Sequence, residues 1–451
     1  MLKKNEKYTV AVSGYTSEGY GVARIDGQVV FIPEAIEGEL CEIRIEKVMK
    51  SFSLAGILEI KKPSPNRVRS TCKYARDCGG CAFLHMDYEE ELRLKAQRVR
   101  DALERIGGFE LPEVKITGAD SIFGYRNKAQ YPVALCKGQA DAGFFRQKTH
   151  EVIPVTRCRI QMESAESVRK AVVEWMRDYA VAPYDEKTKT GLIRHIYVRT
   201  GAVSGQILAC LVAAADKLPR EKELVKRLQE KVPGLTSLVL SIHKEAGNVV
   251  LGREYRTLFG PGTIEDTLCG LRFRLSPQSF YQVNHDQAER LYLCAQNLAA
   301  LTGKETVLDL YCGTGTITLC LAKEAKQVIG VEIIESAIRD ANENAERNGI
   351  GNSRFFCADA GEAAKRLAEE GVHPDVIVMD PPRKGVSLDV IDAIFAMKPE
   401  RIVYVSCDPA TLARDLKALA EQYRLEHAEA FDMFPRCAHV ETVCLMSRKD
   451  N

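Results

Sequence analysis

Two residues standing at the ends of apolar runs are the best placed in this chain to do chemistry. Cys407 follows Ile402-Val403-Tyr404-Val405 within Ser406-Cys407-Asp408-Pro409, and about 25 residues upstream Asp380-Pro381-Pro382 follows Val376-Ile377-Val378-Met379. Short apolar runs of this kind read as buried strands. Open α/β sheets bind ligands at their strand ends, so a thiol and a carboxylate at neighbouring ends share one crevice. Alone, an apolar-flanked cysteine reads as an inert core thiol; paired with a carboxylate, Cys407 suggests a nucleophile.

A second pattern precedes these runs. Thr306-Val307-Leu308-Asp309-Leu310 leads into Tyr311-Cys312-Gly313-Thr314-Gly315-Thr316 and then an apolar helix, which lets backbone approach a ligand at a helix N-terminus. Val328-Ile329-Gly330-Val331-Glu332 then places a carboxylate 19 residues beyond Gly313, where it could accept hydrogen bonds from ribose hydroxyls. A dinucleotide turn requires a third glycine, but Ile317 and Thr318 stand near that place, so a pyrophosphate site is disfavoured. With Asp309 ahead of the turn, the pattern resembles that of a class I methyltransferase, which binds S-adenosylmethionine.

Cys72, Cys78 and Cys81 form C-x5-C-x2-C around Gly79-Gly80, a spacing able to wrap a metal centre. Cys158, in the polar setting Thr156-Arg157-Cys158-Arg159, is the candidate fourth thiolate. Zinc and an iron–sulfur cluster both accept four thiolates, and spacing alone leaves the two open.

These residues need elements to position them. The chain's 451 residues are enough for two or three domains and a sizeable core. Residues 7–60 alternate strand-like runs with turns, which reads as a small closed barrel. Lys61-Lys62-Pro63-Ser64-Pro65-Asn66 breaks regular structure and marks a linker. Beyond the cysteine loop, a helix is predicted from about Tyr88 to Ile106, ending at Gly107-Gly108. Residues 115–275 mix strands and helices as an α+β insert, and from about 305 the rhythm is that of a doubly wound parallel sheet. The expected fold class is therefore α/β with three units: a β-barrel over 1–62, a central domain over 63–275 carrying the cysteine site, and a methyltransferase domain over 276–451.

Charge is nearly balanced, with 63 Lys/Arg against 62 Asp/Glu, but its distribution is uneven. Residues 61–160 hold 19 Lys/Arg against 12 Asp/Glu, which suits either a phosphate-facing surface or a solvated one. No apolar run of about 18 residues and no basic-then-apolar leader is present, so a soluble, cytoplasmic protein without membrane contact is expected. Fifteen cysteines, odd in number and scattered in apolar contexts, fit a reducing compartment. Monomer is the default oligomeric state.

Taken together these pieces resemble the RNA uracil C5-methyltransferases, the enzymes that make 5-methyluridine, and in particular the cluster-bearing 23S rRNA branch. The resemblance runs through a TRAM-like barrel, the four cysteines, Ser279-Phe280-Tyr281-Gln282-Val283-Asn284, residues 309–316, Asp380-Pro381-Pro382-Arg383-Lys384-Gly385, Ser406 to Pro409 and His439-Val440-Glu441-Thr442-Val443. It implies Cys407 as nucleophile and Glu441 as proton acceptor. It also implies Gln282, Tyr311, Glu332 and Asp380 as S-adenosylmethionine contacts, with Asp359 a weaker one on the adenine side. Cys72, Cys78, Cys81 and Cys158 would by the same resemblance hold a 4Fe-4S cluster.

Uracil C5 is a poor nucleophile until a thiolate adds at C6 and breaks the conjugation, which is what such a cysteine supplies. Cys407 is accordingly expected where its thiolate is stabilised. Amino methyltransferases place an aromatic residue after the Asp-Pro-Pro, whereas Arg383 stands here, which favours carbon as the methyl acceptor. A buried thiol implies a uridine flipped from its stack, with Arg126, Lys128, Arg146, Lys148, Arg157 and Arg159 steering phosphates. The expected substrate is 23S rRNA. Transfer RNA is the alternative, disfavoured because its enzymes are expected to lack the barrel and the cluster. A non-catalytic, cluster-bearing RNA-binding factor is the rival from another class, and the intact Cys407, Glu441 and Gln282 oppose it.

Overall fold

A computed structural model of the chain describes residues 2–110, 113–245, 247 and 249–449. Near the N-terminus, inward and outward side chains alternate along Gly21–Ile25, Gln28–Ile32 and Leu40–Val48, burying Ala23, Val30, Ile32, Ile43 and Ile45 in a common core. Lys7–Ala11 pairs with Leu40–Val48, and the adjoining Gly14–Tyr15 pairs with Gly21–Ile25. These are the two ends of a six-strand order. Because both ends belong to one continuous segment, the sheet returns on itself and closes as a barrel, which removes its open edges.

The helix after the cysteine loop is Tyr88–Ala102, capped by Asp87 accepting from the Glu90 N–H, with three glutamates in the first turn favouring the dipole. Its α-form stops four residues earlier than the predicted Ile106. Leu103–Gly107 continues as a single π-turn, and Gly108 closes it with φ 77°.

The middle of the chain forms a seven-stranded sheet in the order Val152–Pro154, Gln139–Phe145, Lys128–Cys136, Ile193–Thr200, Ile207–Ala213, Leu235–Ile242, Glu254–Phe259. Helices Glu163–Asp178 and Glu221–Lys231 share its core through Val168, Val172, Trp175, Leu224 and Leu228.

The last sheet has eight strands, ordered Ser353–Cys357, Gln327–Glu332, Thr306–Leu310, Val376–Met379, Arg401–Ser406, Glu441–Arg448, Tyr423–Phe431, Lys115–Thr117. Its central strands are buried along nearly their whole length, as a parallel sheet covered on both faces requires. The order reverses between Thr306–Leu310 and Val376–Met379, which puts the ligand crevice at their C-terminal ends. Glu441–Arg448 runs antiparallel to both of its neighbours. This is the strand arrangement of a class I methyltransferase. Lys115–Thr117, far away in sequence, pairs with Tyr423–Phe431 and extends the sheet at that edge.

Helix Tyr88–Ala102 is bound to the segment just before Glu441 by a buried polar network. Lys95 Nζ donates to Glu91 Oε1 and to Asp432 Oδ1, both at 2.7 Å, and Tyr88 donates to Asp432 at 2.8 Å. The Arg436 N–H donates to Glu91 Oε1 at 2.7 Å, and the Ala82 N–H to the Arg436 carbonyl at 2.8 Å. Among the described residues, no helix is long and apolar enough to cross a membrane.

Candidate active site

Strand register brings Cys407 and Glu441 together. Ser406 pairs with Thr442 in the antiparallel ladder, so Cys407 and Glu441 are the next positions on adjoining strand ends. Met379 pairs with Tyr404 in the parallel ladder, which leaves Asp380 at the next strand end. Among the described residues the side chains of Cys407, Glu441 and Asp380 form no hydrogen bond and no ion pair within the protein. Glu441 is only 5% exposed.

Electrostatics follow from that crowding. Burial, then the neighbouring Asp380, raises the Glu441 carboxyl to about 8. Burial and the Asp309 charge raise Asp380 to about 7. The Cys407 thiol is pushed up to about 11, first by burial and then by Glu441 and Asp380, with Arg383 pulling the other way. The expectation of a stabilised thiolate is thus corrected for the free protein. Cys407 does stand just ahead of a helix N-terminus, at Pro409–Leu419, which favours negative charge. That effect loses here to burial beside two acids.

Local structure fixes these side chains. Asp408 caps helix Pro409–Leu419 by accepting from the Thr411 N–H at 2.9 Å, and Pro409 fits the first helical turn. Ser406 Oγ accepts from the Asp408 N–H at 3.2 Å, which braces the turn around Cys407. The loop after Asp380 lies on the same helix: Thr411 Oγ1 donates to the Arg383 carbonyl at 3.1 Å, and the Val386 N–H donates to Asp415 Oδ2 at 3.0 Å. Gly385 is required there, because its φ is 77° and a Cβ would come within 2.2 Å of Asp415 Oδ2.

The cofactor side is built by the glycine turn. Glu332 accepts from the Gly313 N–H at 3.2 Å and from the Ile334 N–H at 2.9 Å, so its carboxylate is oriented by backbone at the end of its strand. Tyr311 holds φ 79°, an uncommon conformation for a bulky residue and one that clusters at functional sites. Gly315, at φ 82°, lies close enough to Ala341 and Phe355 that a Cβ would crowd both. Asp359 caps helix Ala360–Glu369 through Oδ1, accepting from the Gly361 N–H at 2.9 Å. Gln282 is buried and leaves its side-chain amide free of hydrogen bonds among the described residues. Its segment is held by the middle sheet: Asn127 Nδ2 donates to the Gln282 carbonyl at 2.9 Å, and buried Arg199 donates to the Ser279 carbonyl at 2.6 Å.

Several residues enter that type and spacing do not flag. Ile333 and Ile334 are 63% and 57% exposed directly after Glu332, an apolar surface beside the strand-end carboxylate. Two isoleucines following a strand-end acid were the available signal. Arg383 Nη2 lies 3.2 Å from His439 Nε2, and burial followed by the Arg383 charge lowers that imidazole to about 4, so it is neutral and can accept.

The four predicted cysteines also come together. Cys72, Cys78, Cys81 and Cys158 line one cavity of about 250 Å³, with Arg126, Lys128 and Arg159 on the same wall. These three cations therefore share a cavity with the thiols, and Arg159 is also exposed at the surface. Arg146 is paired with Asp77 and Glu151. A fifth thiol that spacing did not suggest, Cys437, donates to the Gly80 carbonyl at 3.1 Å. All fifteen cysteines are free.

Residues 87–449 match the family model described as tRNA (uracil-5-)-methyltransferase, and residues 2–58 match the TRAM domain. An uncharacterized RNA methyltransferase of Clostridium tetani is 42% identical over 447 residues, which is 99% of this chain and 97% of that protein. One from Clostridium acetobutylicum is 40% identical over 453 residues, 100% and 98% of the two chains. Among solved structures, the tRNA (uracil-54, C5)-methyltransferase of Pyrococcus abyssi, in complex with S-adenosyl-L-homocysteine, is 26% identical with a TM-score of 0.78. The match covers 97% of this chain and 100% of that one. A tRNA enzyme that matches so much of the chain removes the barrel as a mark against tRNA substrates. Both its sheet and its full-length relatives lead to the same assignment: the chain belongs to the tRNA (uracil-5-)-methyltransferase family and is an S-adenosylmethionine-dependent RNA uracil-C5 methyltransferase.

Proposed function

We propose that the protein methylates C5 of a specific uridine in 23S rRNA, with Cys407 as nucleophile and Glu441 as the base that removes the C5 proton. The observation that supports the mechanism is the adjacent placement of Cys407 and Glu441 on antiparallel strand ends, Glu441 buried, Cys407 half-buried and neither engaged elsewhere among the described residues. Once it has lost its proton, Cys407 Sγ adds to C6 as the thiolate, driving the ring electrons toward C5 and the C4 carbonyl, so that C5 becomes nucleophilic. S-adenosylmethionine, when bound, supplies the electrophilic methyl group. Glu441 then takes the C5 proton, the C5–C6 double bond re-forms, and the thiolate leaves. A carboxyl raised to about 8 is well matched to that proton transfer near neutral pH.

Glu332, Tyr311, Gln282 and Asp380 would hold the cofactor, Glu332 taking the ribose hydroxyls and Ile333 and Ile334 flanking the base. Asp359 keeps Oδ2 available on that side, since only Oδ1 accepts from the helix backbone. The division of labour would follow the barrel (1–62), the central unit (63–275) and the methyltransferase unit (276–451), the first two presenting RNA to the third.

For the four cysteines we propose a 4Fe-4S cluster. Its support is the chemistry of the wall, where four thiols and three cations line one cavity. The cations would offset the negative charge of a thiolate-bound cluster. The cluster is assigned a structural role, because methyl transfer moves no electrons.

A second reading, tRNA as substrate, is favoured by the Pyrococcus enzyme. Both are tested by denaturing electrophoresis of cluster-loaded protein with S-adenosylmethionine and 5-fluorouridine-substituted 23S rRNA fragments or tRNA. Fluorine cannot leave C5 as a proton, so the adduct persists. A shifted band with rRNA that disappears in Cys407→Ala is expected. A band with tRNA alone transfers the assignment to tRNA, and no band with either, from protein that binds the cofactor, overturns the covalent mechanism.

A further inference from the structure

At the far edge of the last sheet, away from the glycine turn and the cysteine cavity, three side chains of different chemistry converge. Cys294 comes from helix His285–Ala299, and His427 and Glu429 from strand Tyr423–Phe431. Their ligating atoms lie within 4.8 Å of one another. Glu429 Oε2 is 3.5 Å from His427 Nε2 and 3.9 Å from Cys294 Sγ. A zinc ion with bonds of about 2.0–2.1 Å to nitrogen or oxygen and about 2.3 Å to a single sulfur sets ligand separations of about 3.3–3.6 Å in a tetrahedron. The Glu429–His427 separation lies within that range, the Glu429–Cys294 separation is slightly longer, and Cys294 and His427 offer ligand atoms within 4.8 Å of each other.

The local fold prepares this arrangement. His427 and Glu429 are two apart on one strand and so share a face, and the ladder shifts register between Leu425 and His427, a bulge of the kind that re-aims a side chain. Thr117 Oγ1 donates to Glu429 Oε1 at 2.7 Å, which leaves Oε2 turned toward Cys294 and His427. Ligating carboxylates are commonly held in this way by a hydrogen bond to the other oxygen.

We propose that Cys294, His427 and Glu429 form a binding site for a divalent ion of zinc's chemistry, with Thr117 orienting the carboxylate and water completing the tetrahedron. Thiolate, imidazole and carboxylate together suit zinc and not the oxygen-seeking Mg²⁺ or Ca²⁺. All three ligands are partly exposed, so the ion has a way in. Binding joins two segments distant in sequence, the helix and the strand, and it displaces the thiol proton.

The test is titration of the full chain with Co²⁺, followed by the thiolate-to-cobalt charge-transfer absorption and by the number of equivalents bound. Wild type and Cys158→Ser, whose four-thiol set is broken, are both expected to show the one-thiolate band. Cys294→Ala should lose that band and one equivalent. His427→Ala should bind at least about tenfold more weakly, and Thr117→Val about tenfold more weakly. Retained S-adenosylmethionine binding in each variant reports that it is folded. A band kept in Cys294→Ala and lost in Cys158→Ser would assign the metal to the four-thiol cavity and overturn the proposal, as would identical equivalents in wild type, Cys294→Ala and His427→Ala.

Discussion

In the free protein Cys407 should behave as a thiol, not a thiolate, and the consequence can be measured. Raising its pKa from 9.0 to about 11 lowers the thiolate fraction at pH 8 about a hundredfold. A more basic thiolate is also more reactive: with a Brønsted coefficient of about 0.45, two pKa units return roughly an eightfold gain. Alkylation by iodoacetamide at pH 8 is then about twelvefold slower than for an ordinary thiol, before any effect of access. Burial slows the reaction equally at every pH, so the midpoint of the rate-versus-pH curve carries the test. Peptide mass spectrometry of the Cys407 peptide, without cofactor, should show a rate still climbing at pH 10. Glu441→Gln should move the midpoint down, because the Glu441 charge is one of its causes. A plateau reached below pH 9 in wild type would refute the reasoning that burial beside two acids outweighs the helix N-terminus.

Glu441 should also cost stability at alkaline pH. Its folded pKa of about 8 lies above the unfolded 4.5, so the folded state holds the extra proton between those values and stability falls as pH rises through that window. Glu441→Gln, which has no charge to bury, should therefore raise the thermal midpoint at pH 8, by an amount equivalent to a few kcal/mol, and change it little at pH 4.5; equal effects at both would contradict the shift. Lys95→Met strands the Glu91 and Asp432 carboxylates in the interior and should cost about 3–5 kcal/mol in denaturant unfolding. A loss below about 1 kcal/mol would mean that the network is already relieved by other groups. Gly385→Ala forces a side chain into a left-handed turn against Asp415, so it should destabilise the loop after Asp380 by more than about 1 kcal/mol and reduce the fluorouridine adduct. Unchanged adduct yield would show that this loop does not set the geometry of Cys407.

The methyltransferase half was legible because its strands are short apolar runs ending in residues of distinct chemistry. Cys407, Asp380 and Glu332 all stand at the strand ends where those runs put them. The helix beginning at Tyr88 was also legible, down to its glycine stop, while the π-turn that replaces its last turn has no sequence signature. Side-chain direction was not legible. Arg126, Lys128 and Arg159 look like any basic surface in one dimension, and only the sheet and loop geometry turns them toward the cysteines. The pKa of Cys407 was not legible either: its sequence neighbours place Asp380 in the same crevice, whereas the burial that dominates the shift depends on how the strands pack around the thiol. Lys115–Thr117, three residues separated from their sheet by most of the chain, offered no pattern that could announce the pairing.

The tie between helix Tyr88–Ala102 and the segment before Glu441 has a consequence for how the enzyme comes into being. Lys95 and Asp432 are 337 residues apart, and Arg436 and Glu91 are 345 apart. On a ribosome the helix emerges first and waits, with Lys95 and Glu91 deprived of their later partners, until residues 432–436 are synthesised. Closing so long a loop is slow, and the residues that anchor the segment ahead of Glu441 arrive only at its end. A nascent chain, or one truncated before residue 432, would therefore carry the glycine turn without the network that braces the segment ahead of Glu441.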